Sequence, residues 1–159
     1  VYLPLVVEEP AHPETDRVSR PSPRINPLPT SESTSARTIL LVDDEDSLRR
    51  VGARILRKAG YEVIAAHGGD EALALCLERA QPVDLLITDV VMPGMTGTEL
   101  VSRLESHCPG IAVIYTSGYN TDMVVRHGVT SERVHFIPKP FSAPALLELV
   151  AKVLSERAR

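Results

Sequence analysis

Residues Thr38–Glu45, TILLVDDE, indicate the fold class, because five apolar or β-branched residues are followed directly by three acidic ones. An unbroken apolar run of this length is typical of a strand that is buried on both faces, as in a parallel sheet. A helical pattern follows over residues 47–59, and Gly60 is a suitable residue to end that helix. A buried strand followed by a helix predicts the repeating unit of an α/β protein.

The same alternation continues along the rest of the chain. Unipolar alternation of this kind predicts a doubly wound α/β domain, in which helices cover both faces of a five-stranded parallel sheet. The further predicted strands are 62–66, 83–88, 111–116 and 134–137, and the further predicted helices are 70–80, 98–107, 121–127 and 142–157.

The composition of the chain changes near residue 37. Residues 8–37 are rich in proline and serine and have no periodic apolar face, which predicts a disordered linker. Residues 1–7 form a short apolar, β-prone run, and residues 38–159 form the predicted folded domain. At 159 residues, the chain has room for one domain of ordinary size.

Composition and charge exclude several classes of protein. The net charge of −4, from 17 basic and 21 acidic residues, offers no bulk basic surface, so we expect no nucleic-acid partner. The apolar runs fall far short of the ~20 residues that cross a bilayer, so we expect no membrane contact by this segment. Cys76 and Cys108 are not spaced like zinc ligands or a disulfide framework, and a cytoplasmic location fits them best.

Charged and polar residues come directly after four of the predicted strands, where ligands of parallel α/β sheets bind. Asp43 and Asp44 follow the first strand, and Asp89, Ser117 and Lys139 follow the third, fourth and fifth. Clustered carboxylates repel one another without a cation, and hard oxygen ligands suit Mg²⁺, or Mn²⁺ in its place. A lysine and a hydroxyl beside such a metal match the oxygens of a phosphoryl group. The pattern therefore predicts metal-dependent phosphoryl transfer with an aspartate nucleophile.

Four motifs in order resemble the receiver domain of two-component response regulators. They are LLVDDE at 40–45, DVVMPGMTG at 89–97, YTSGY at 115–119 and PKPF at 138–141. The resemblance extends from about residue 38 to residue 154. It implies a flavodoxin-like fold with strand order 2-1-3-4-5 and five helices. An isolated acidic pair, Ser-Gly or lysine is more often a turn, a cap or a surface residue, so the joint occurrence of the motifs is what favours a site.

The resemblance assigns a role to each residue of the predicted site. Asp89 matches the phospho-acceptor, and Lys139 matches the lysine that pairs with the phosphoryl group. Asp43 and Asp44 match the acidic pair, with Asp44 as the more direct metal ligand. The backbone carbonyl of Val91 would complete the protein's share of the metal coordination, and no organic cofactor is implied.

Further residues match the positions that respond to phosphorylation in the family. Ser117 matches the hydroxyl that turns toward the phosphoryl group, with Thr116 as the competing candidate. Phe136 matches the aromatic switch, and the Lys139–Pro140 peptide bond is expected to be cis, as proline permits. Val91 and Tyr119 match the positions that flank the attacking water and set the phosphate lifetime; neither suits orienting that water, so we expect slow self-dephosphorylation.

The partner implied by the resemblance is a helical domain that carries a phosphohistidine. Five basic residues on the first helix are either a solvated face or a docking surface for that partner. They are Arg49, Arg50, Arg54, Arg57 and Lys58.

Four descriptions of the protein remain open from sequence. One is a binding module that no longer takes phosphate, against which the intact set of site residues argues. The Val1-Tyr2-Leu3-Pro4 start resembles the closing strand of a kinase ATP-binding domain, which favours the C-terminal receiver of a hybrid sensor histidine kinase. A stand-alone response regulator would use the same chemistry. An aspartyl-phosphate phosphatase is the alternative of another class, but its Asp-x-Asp motif does not match Asp43-Asp44-Glu45.

Overall fold

A computed structural model of the chain describes residues 36–118 and 134–157. Every predicted boundary in these ranges lies within two residues of the observed one. The strands are β1 (Thr38–Val42), β2 (Glu62–Ala66), β3 (Leu85–Asp89), β4 (Ala112–Ser117) and β5 (His135–Pro138). The helices of the described ranges are α1 (Asp46–Lys58), α2 (Gly69–Glu78), α3 (Gly97–Glu105) and α4 (Ala143–Arg157).

The five strands form one parallel sheet in the order β2-β1-β3-β4-β5, which confirms the predicted topology. The described ranges contain four helices where five were predicted. The predicted helix 121–127 lies outside the described residues, as do Tyr119 and residues 1–35. Arg37, the last residue of the predicted linker, donates a hydrogen bond from Nη1 to Oδ1 of Asp84 at 3.0 Å.

Two apolar layers enclose the sheet, and the side chains of β1 alternate between them. Ile39 and Leu41 pack in the layer formed with α1 and α4, whereas Leu40 and Val42 pack in the layer formed with α2 and α3. All five residues of β1 are buried. This two-sided burial explains why the strand reads as a continuous apolar run rather than an alternating one.

Two of the predicted site residues are the last residues of strands rather than the first residues of loops. β3 ends at Asp89 and β4 ends at Ser117, one residue beyond each predicted end. Asp89 pairs in register with Thr116, and Ser117 pairs with Pro138. Sheet hydrogen bonding therefore fixes the backbone of both residues at the carboxyl edge of the sheet.

Among residues 36–118 and 134–157, no helix is both long enough and apolar enough to cross a bilayer.

Candidate functional site

Lys139 joins two carboxylates at the carboxyl edge of the sheet. Its Nζ lies 2.6 Å from Oδ2 of Asp43 and 2.6 Å from Oδ2 of Asp89. The backbone places it there, because the Lys139 amide donates to the carbonyl of Ser117 at 2.9 Å and the Lys139–Pro140 bond is cis, as expected. The three side chains are at most 12% exposed, so water screens their charges weakly.

The charge on Lys139 is maintained by its two partners. Burial of the ammonium lowers its pKa, but the hydrogen bonds and charges of Asp43 and Asp89 outweigh burial and raise the pKa above its ordinary value of 10.5. A lysine with a raised pKa is protonated throughout the neutral range. The site therefore retains a fixed positive charge between two carboxylates.

Three carboxylates form a cluster that could hold a divalent cation. One oxygen each of Asp43, Asp44 and Asp89 lies within 4.8 Å of the others. Asp43 is 3% exposed and Asp89 is 9% exposed, whereas Asp44 is exposed and opens the cluster to solvent. Oxygen ligands that leave room for water match the preference of Mg²⁺.

The backbone around Asp89 holds its carboxylate in place. The Val91 amide donates to Oδ1 of Asp89 at 3.1 Å, which leaves Oδ2 for Lys139. The Val90 amide donates to the carbonyl of Thr116 at 3.0 Å, and the Gly97 amide donates to the carbonyl of Val90 at 3.1 Å. The loop after β3 is therefore tied both to β4 and to the start of α3.

Gly97 allows this close approach between the loop and α3. A Cβ atom at Gly97 would lie 2.1 Å from the carbonyl oxygen of Asp89. No side chain fits that space, so a residue with a Cβ would force the phospho-acceptor candidate or the helix to move.

The two hydroxyls at the end of β4 have different surroundings. Both Ser117 and Thr116 are 2% exposed. Thr116 Oγ1 has no hydrogen-bond partner among residues 36–118 and 134–157. Consecutive residues of a strand point to opposite faces of the sheet, so only one of these two residues can share a face with Tyr115. Ser117 is that residue.

A small apolar cluster adjoins the carboxyl edge on that face. Val90 and Tyr115 are buried there, and Phe136, the predicted switch, packs against them while remaining half-buried. Burial, with a contribution from Glu105, raises the pKa of Tyr115 to about 12, so its hydroxyl is neutral. Val90 of this cluster directly follows Asp89 in the chain, so one peptide bond links the cluster to the site.

Comparison with known proteins assigns this arrangement to a family. The family model of the response regulator receiver domain matches residues 39–151. The chain belongs to this family. Its receiver domain is homologous to the receiver domains of hybrid kinases.

Two similar sensor kinases are much longer than this chain. Sensor kinase CckA of Brucella abortus is 36% identical over 157 residues, which is 99% of this chain and 16% of the kinase. The CAI-1 autoinducer sensor kinase/phosphatase CqsS of Vibrio cholerae is 35% identical over 129 residues, 79% of this chain and 18% of the relative. This chain therefore spans less than a fifth of the length of either.

Solved receiver structures resemble this fold over nearly their whole length. The receiver domain of the hybrid histidine kinase CckA is 41% identical with a TM-score of 0.63, covering 74% of this chain and 98% of its own. The chemotaxis protein CheY4 of Vibrio cholerae is 31% identical with a TM-score of 0.67, covering 75% and 99%.

The basic residues of α1 do not form one solvated face in this receiver. Arg49 donates to the carbonyl of Asp43 at 2.7 Å, and Arg57 donates to the carbonyl of Val63 at 3.0 Å. Arg57 is nevertheless exposed, as are the other three. Those three follow one another at four-residue spacing and form a basic stripe, which consists of Arg50, Arg54 and Lys58. The sequence could have separated Arg49 from the stripe, because four-residue spacing puts Arg49 on the same helix face as buried Ala53.

Two cavities differ in their relation to the receiver site. A depression of about 320 Å³ beside the acidic cluster is lined by Asp44, Pro93 and residues 67–71. The larger cavity, about 400 Å³, is lined by Arg157 and by residues that precede β3 and β4, including Cys76 and Cys108. The smaller one is relevant to phosphate chemistry, because ligands of parallel sheets bind at the carboxyl ends of the strands.

Proposed function

We propose that Asp89 accepts a phosphoryl group from a phosphohistidine, in a Mg²⁺-dependent step of a phosphorelay. The observation that carries the proposal is the contact of Lys139 Nζ with Asp89 Oδ2 at 2.6 Å, inside a cluster of three carboxylates. A fixed cation beside Asp89, together with a metal that the three carboxylates would hold, would suit the charge of a phosphoryl group in transfer.

The transfer is balanced without any further reactant. An oxygen of Asp89 forms a bond to phosphorus while the phosphorus–nitrogen bond of the phosphohistidine breaks. The electron pair of the broken bond returns to the imidazole nitrogen, and an acyl phosphate remains on the aspartate. Lys139, already beside Asp89, pairs with an oxygen of the phosphoryl group.

Asp43, Asp44 and Asp89 would hold the metal, and we assign one more ligand to the backbone carbonyl of Val91. Bound Mg²⁺, or Mn²⁺ in its place, would neutralise charge on the transferred phosphoryl oxygens. The short distances among the three carboxylates support their assignment as metal ligands.

Ser117 and Phe136 are proposed to report the phosphorylated state. Ser117 lies at the end of β4, next to the strand that leads to Lys139. Its movement toward the phosphoryl group would change the packing of Tyr115 and Phe136, which share one cluster. A change of this kind is a two-state repacking biased by a local charge.

The parent protein is proposed to be a hybrid sensor histidine kinase with this receiver as its C-terminal part. Residues 1–7 are then the remnant of the kinase ATP-binding domain, and residues 8–37 are the linker. Similarity to CckA over 99% of the chain supports this context over a stand-alone regulator. The phosphatase alternative is not favoured, since the receiver-domain family model matches residues 39–151.

The basic stripe Arg50, Arg54 and Lys58 is proposed to dock the phosphohistidine domain. The stripe begins one turn into the helix that starts at Asp46, two residues after the acidic pair. It is exposed, and acidic surfaces of a helical partner would complement it.

The experiment is labelling of the protein by a small phosphodonor such as acetyl phosphate with Mg²⁺, followed by mass spectrometry. The wild type gains one phosphoryl group on Asp89, and chelation of the metal prevents labelling. Asp89→Asn abolishes the label, whereas Glu148→Gln, a change at an exposed position of α4, leaves it. Stable labelling of Asp89→Asn would overturn the assignment.

A further inference from the structure

Arg49 connects the acidic pair to the first helix. Its side chain is 15% exposed, and its guanidinium Nη1 donates to the backbone carbonyl of Asp43 at 2.7 Å. Nη2 of the same guanidinium pairs with the carboxylate of Asp46, the first residue of α1. One planar group thereby holds both ends of the short turn that contains Asp44.

The backbone of this turn determines where the Asp44 carboxylate points. Within residues 36–118 and 134–157, that carboxylate makes no hydrogen bond and no ion pair. Asp43 differs, because its Oδ1 accepts from the Glu45 amide at 2.9 Å and its Oδ2 pairs with Lys139. The carbonyl that Arg49 binds belongs to the peptide between Asp43 and Asp44, so Arg49 fixes the plane from which Asp44 extends.

We propose that Arg49 is a positioning residue for the divalent cation. By holding the Asp43–Asp44 peptide, it keeps the Asp44 carboxylate beside those of Asp43 and Asp89, at the distances a metal requires. This inference rests on the proposed function, since it concerns the same metal. Residues that orient metal ligands contribute to affinity without touching the ion, and their loss commonly weakens binding by about 10–100-fold.

Positioning and charge predict opposite effects for Arg49. A guanidinium beside a cation site repels the cation, so on charge alone removal of Arg49 would tighten Mg²⁺ binding. If Arg49 holds the peptide, its removal weakens binding. The direction of the change therefore separates the two roles.

The same helix provides a matched control. Arg57 donates to the carbonyl of Val63 at 3.0 Å, so it makes the same kind of bond at the other end of α1. Arg49→Met and Arg57→Met each remove one charge and one guanidinium–carbonyl bond and keep an unbranched side chain. Asp46 retains a partner in Arg49→Met, because Arg50 pairs with it at 2.9 Å.

The test is a Mg²⁺ titration of the isotope-labelled chain, followed by amide NMR shifts. We expect about tenfold weaker binding for Arg49→Met, unchanged binding for Arg57→Met, and a smaller loss for Arg49→Lys, which keeps one donor. Spectral dispersion and the melting temperature report folding in the same samples, and Arg49→Lys carries the test if Arg49→Met unfolds.

Each outcome has a defined meaning. Unchanged or tighter Mg²⁺ binding by a folded Arg49→Met overturns the positioning role alone, and the same result for Arg49→Lys overturns it where Arg49→Met unfolds. An equal loss of Mg²⁺ affinity in Arg57→Met also overturns the positioning role. The loss would then follow from a general change in α1 and not from the Asp43–Asp44 peptide. Absence of Mg²⁺ binding by the wild type would instead overturn the metal site of the proposed function.

Discussion

Lys139 and Asp89 are 50 residues apart in the chain, yet Nζ of the lysine lies 2.6 Å from Oδ2 of the aspartate. The same ammonium contacts Asp43 at an equal distance. In the resting receiver, Lys139 therefore neutralises the oxygens that a metal and a phosphoryl group would engage. A divalent cation held by the acidic cluster would compete with Lys139 for the same carboxylates.

This competition predicts opposite effects of Lys139→Met on two properties. Mg²⁺ affinity should rise about threefold to tenfold, because the metal no longer displaces an ammonium from the carboxylates. Labelling by a small phosphodonor should slow by tenfold or more, about the loss expected for one electrostatic group. NMR titration and labelling rates measure the two effects, with exposed Lys152→Met as the control. Weaker Mg²⁺ binding in Lys139→Met would contradict the competition.

The two hydroxyls of β4 should behave differently on removal. Thr116→Val should leave labelling unchanged and keep or raise the free energy of unfolding by up to about 1 kcal/mol, since a buried hydroxyl without a partner in the described ranges costs desolvation. Ser117→Ala should reduce the NMR shifts of Phe136 on addition of beryllofluoride with Mg²⁺. Equal responses from the two variants would remove the basis for choosing Ser117.

Gly97→Ala should destabilise the receiver by about 2 kcal/mol, in the range of overpacked sites. The added Cβ would lie 2.1 Å from the Asp89 carbonyl and 3.2 Å from Thr88 Cγ2, so the loop or α3 must shift. Gly68→Ala is the control, because a Cβ there meets no atom within 4 Å and its φ of −171° is extended. Urea unfolding of both variants measures the difference, and equal midpoints would be contrary to expectation.

Val91 is predicted to lengthen the life of the acyl phosphate. Its side chain is 43% exposed beside Asp89 and offers no hydrogen bond to an attacking water. Val91→Asn should speed decay of the phosphorylated protein several-fold, whereas Val91→Leu should not. Tyr119→Glu extends the test to the second position named from sequence. Wild-type decay within seconds, unaffected by Val91→Asn or Tyr119→Glu, would refute this role.

Arg54→Glu should slow phosphotransfer from a histidine-phosphorylated donor domain about tenfold at low salt, and added salt should reduce the difference. Labelling by acetyl phosphate should not change, because the basic stripe does not touch the carboxylate cluster. Arg103→Glu, an equal charge reversal on α3, is the control. A similar loss in both variants would mean that net charge, not the basic stripe, governs transfer.

The fold was predictable from local sequence because each parallel strand is buried on both faces. β1 and β3 contain only buried residues, so each appears in the sequence as a short apolar or β-branched run with a polar flank. The ends of β3 and β4 were harder to predict than the strands themselves. Asp89 and Ser117 look like loop residues by polarity, but hydrogen bonding to the neighbouring strand extends the sheet to include them.

The residues proposed for the chemistry were recognisable by type and order, because the carboxyl ends of parallel strands lie at one edge of the sheet. The amino-acid sequence alone thus determined the sheet order, through the family resemblance, and the set of carboxylates, hydroxyl and lysine at that edge. Only the tertiary structure decided which atoms meet. Lys139 bridges Asp43 and Asp89, Thr116 lacks a partner in the described ranges, and Arg49 turns from the basic stripe to the Asp43 carbonyl. Such contacts depend on ångström-scale distances between segments far apart in the chain, which residue spacing does not encode.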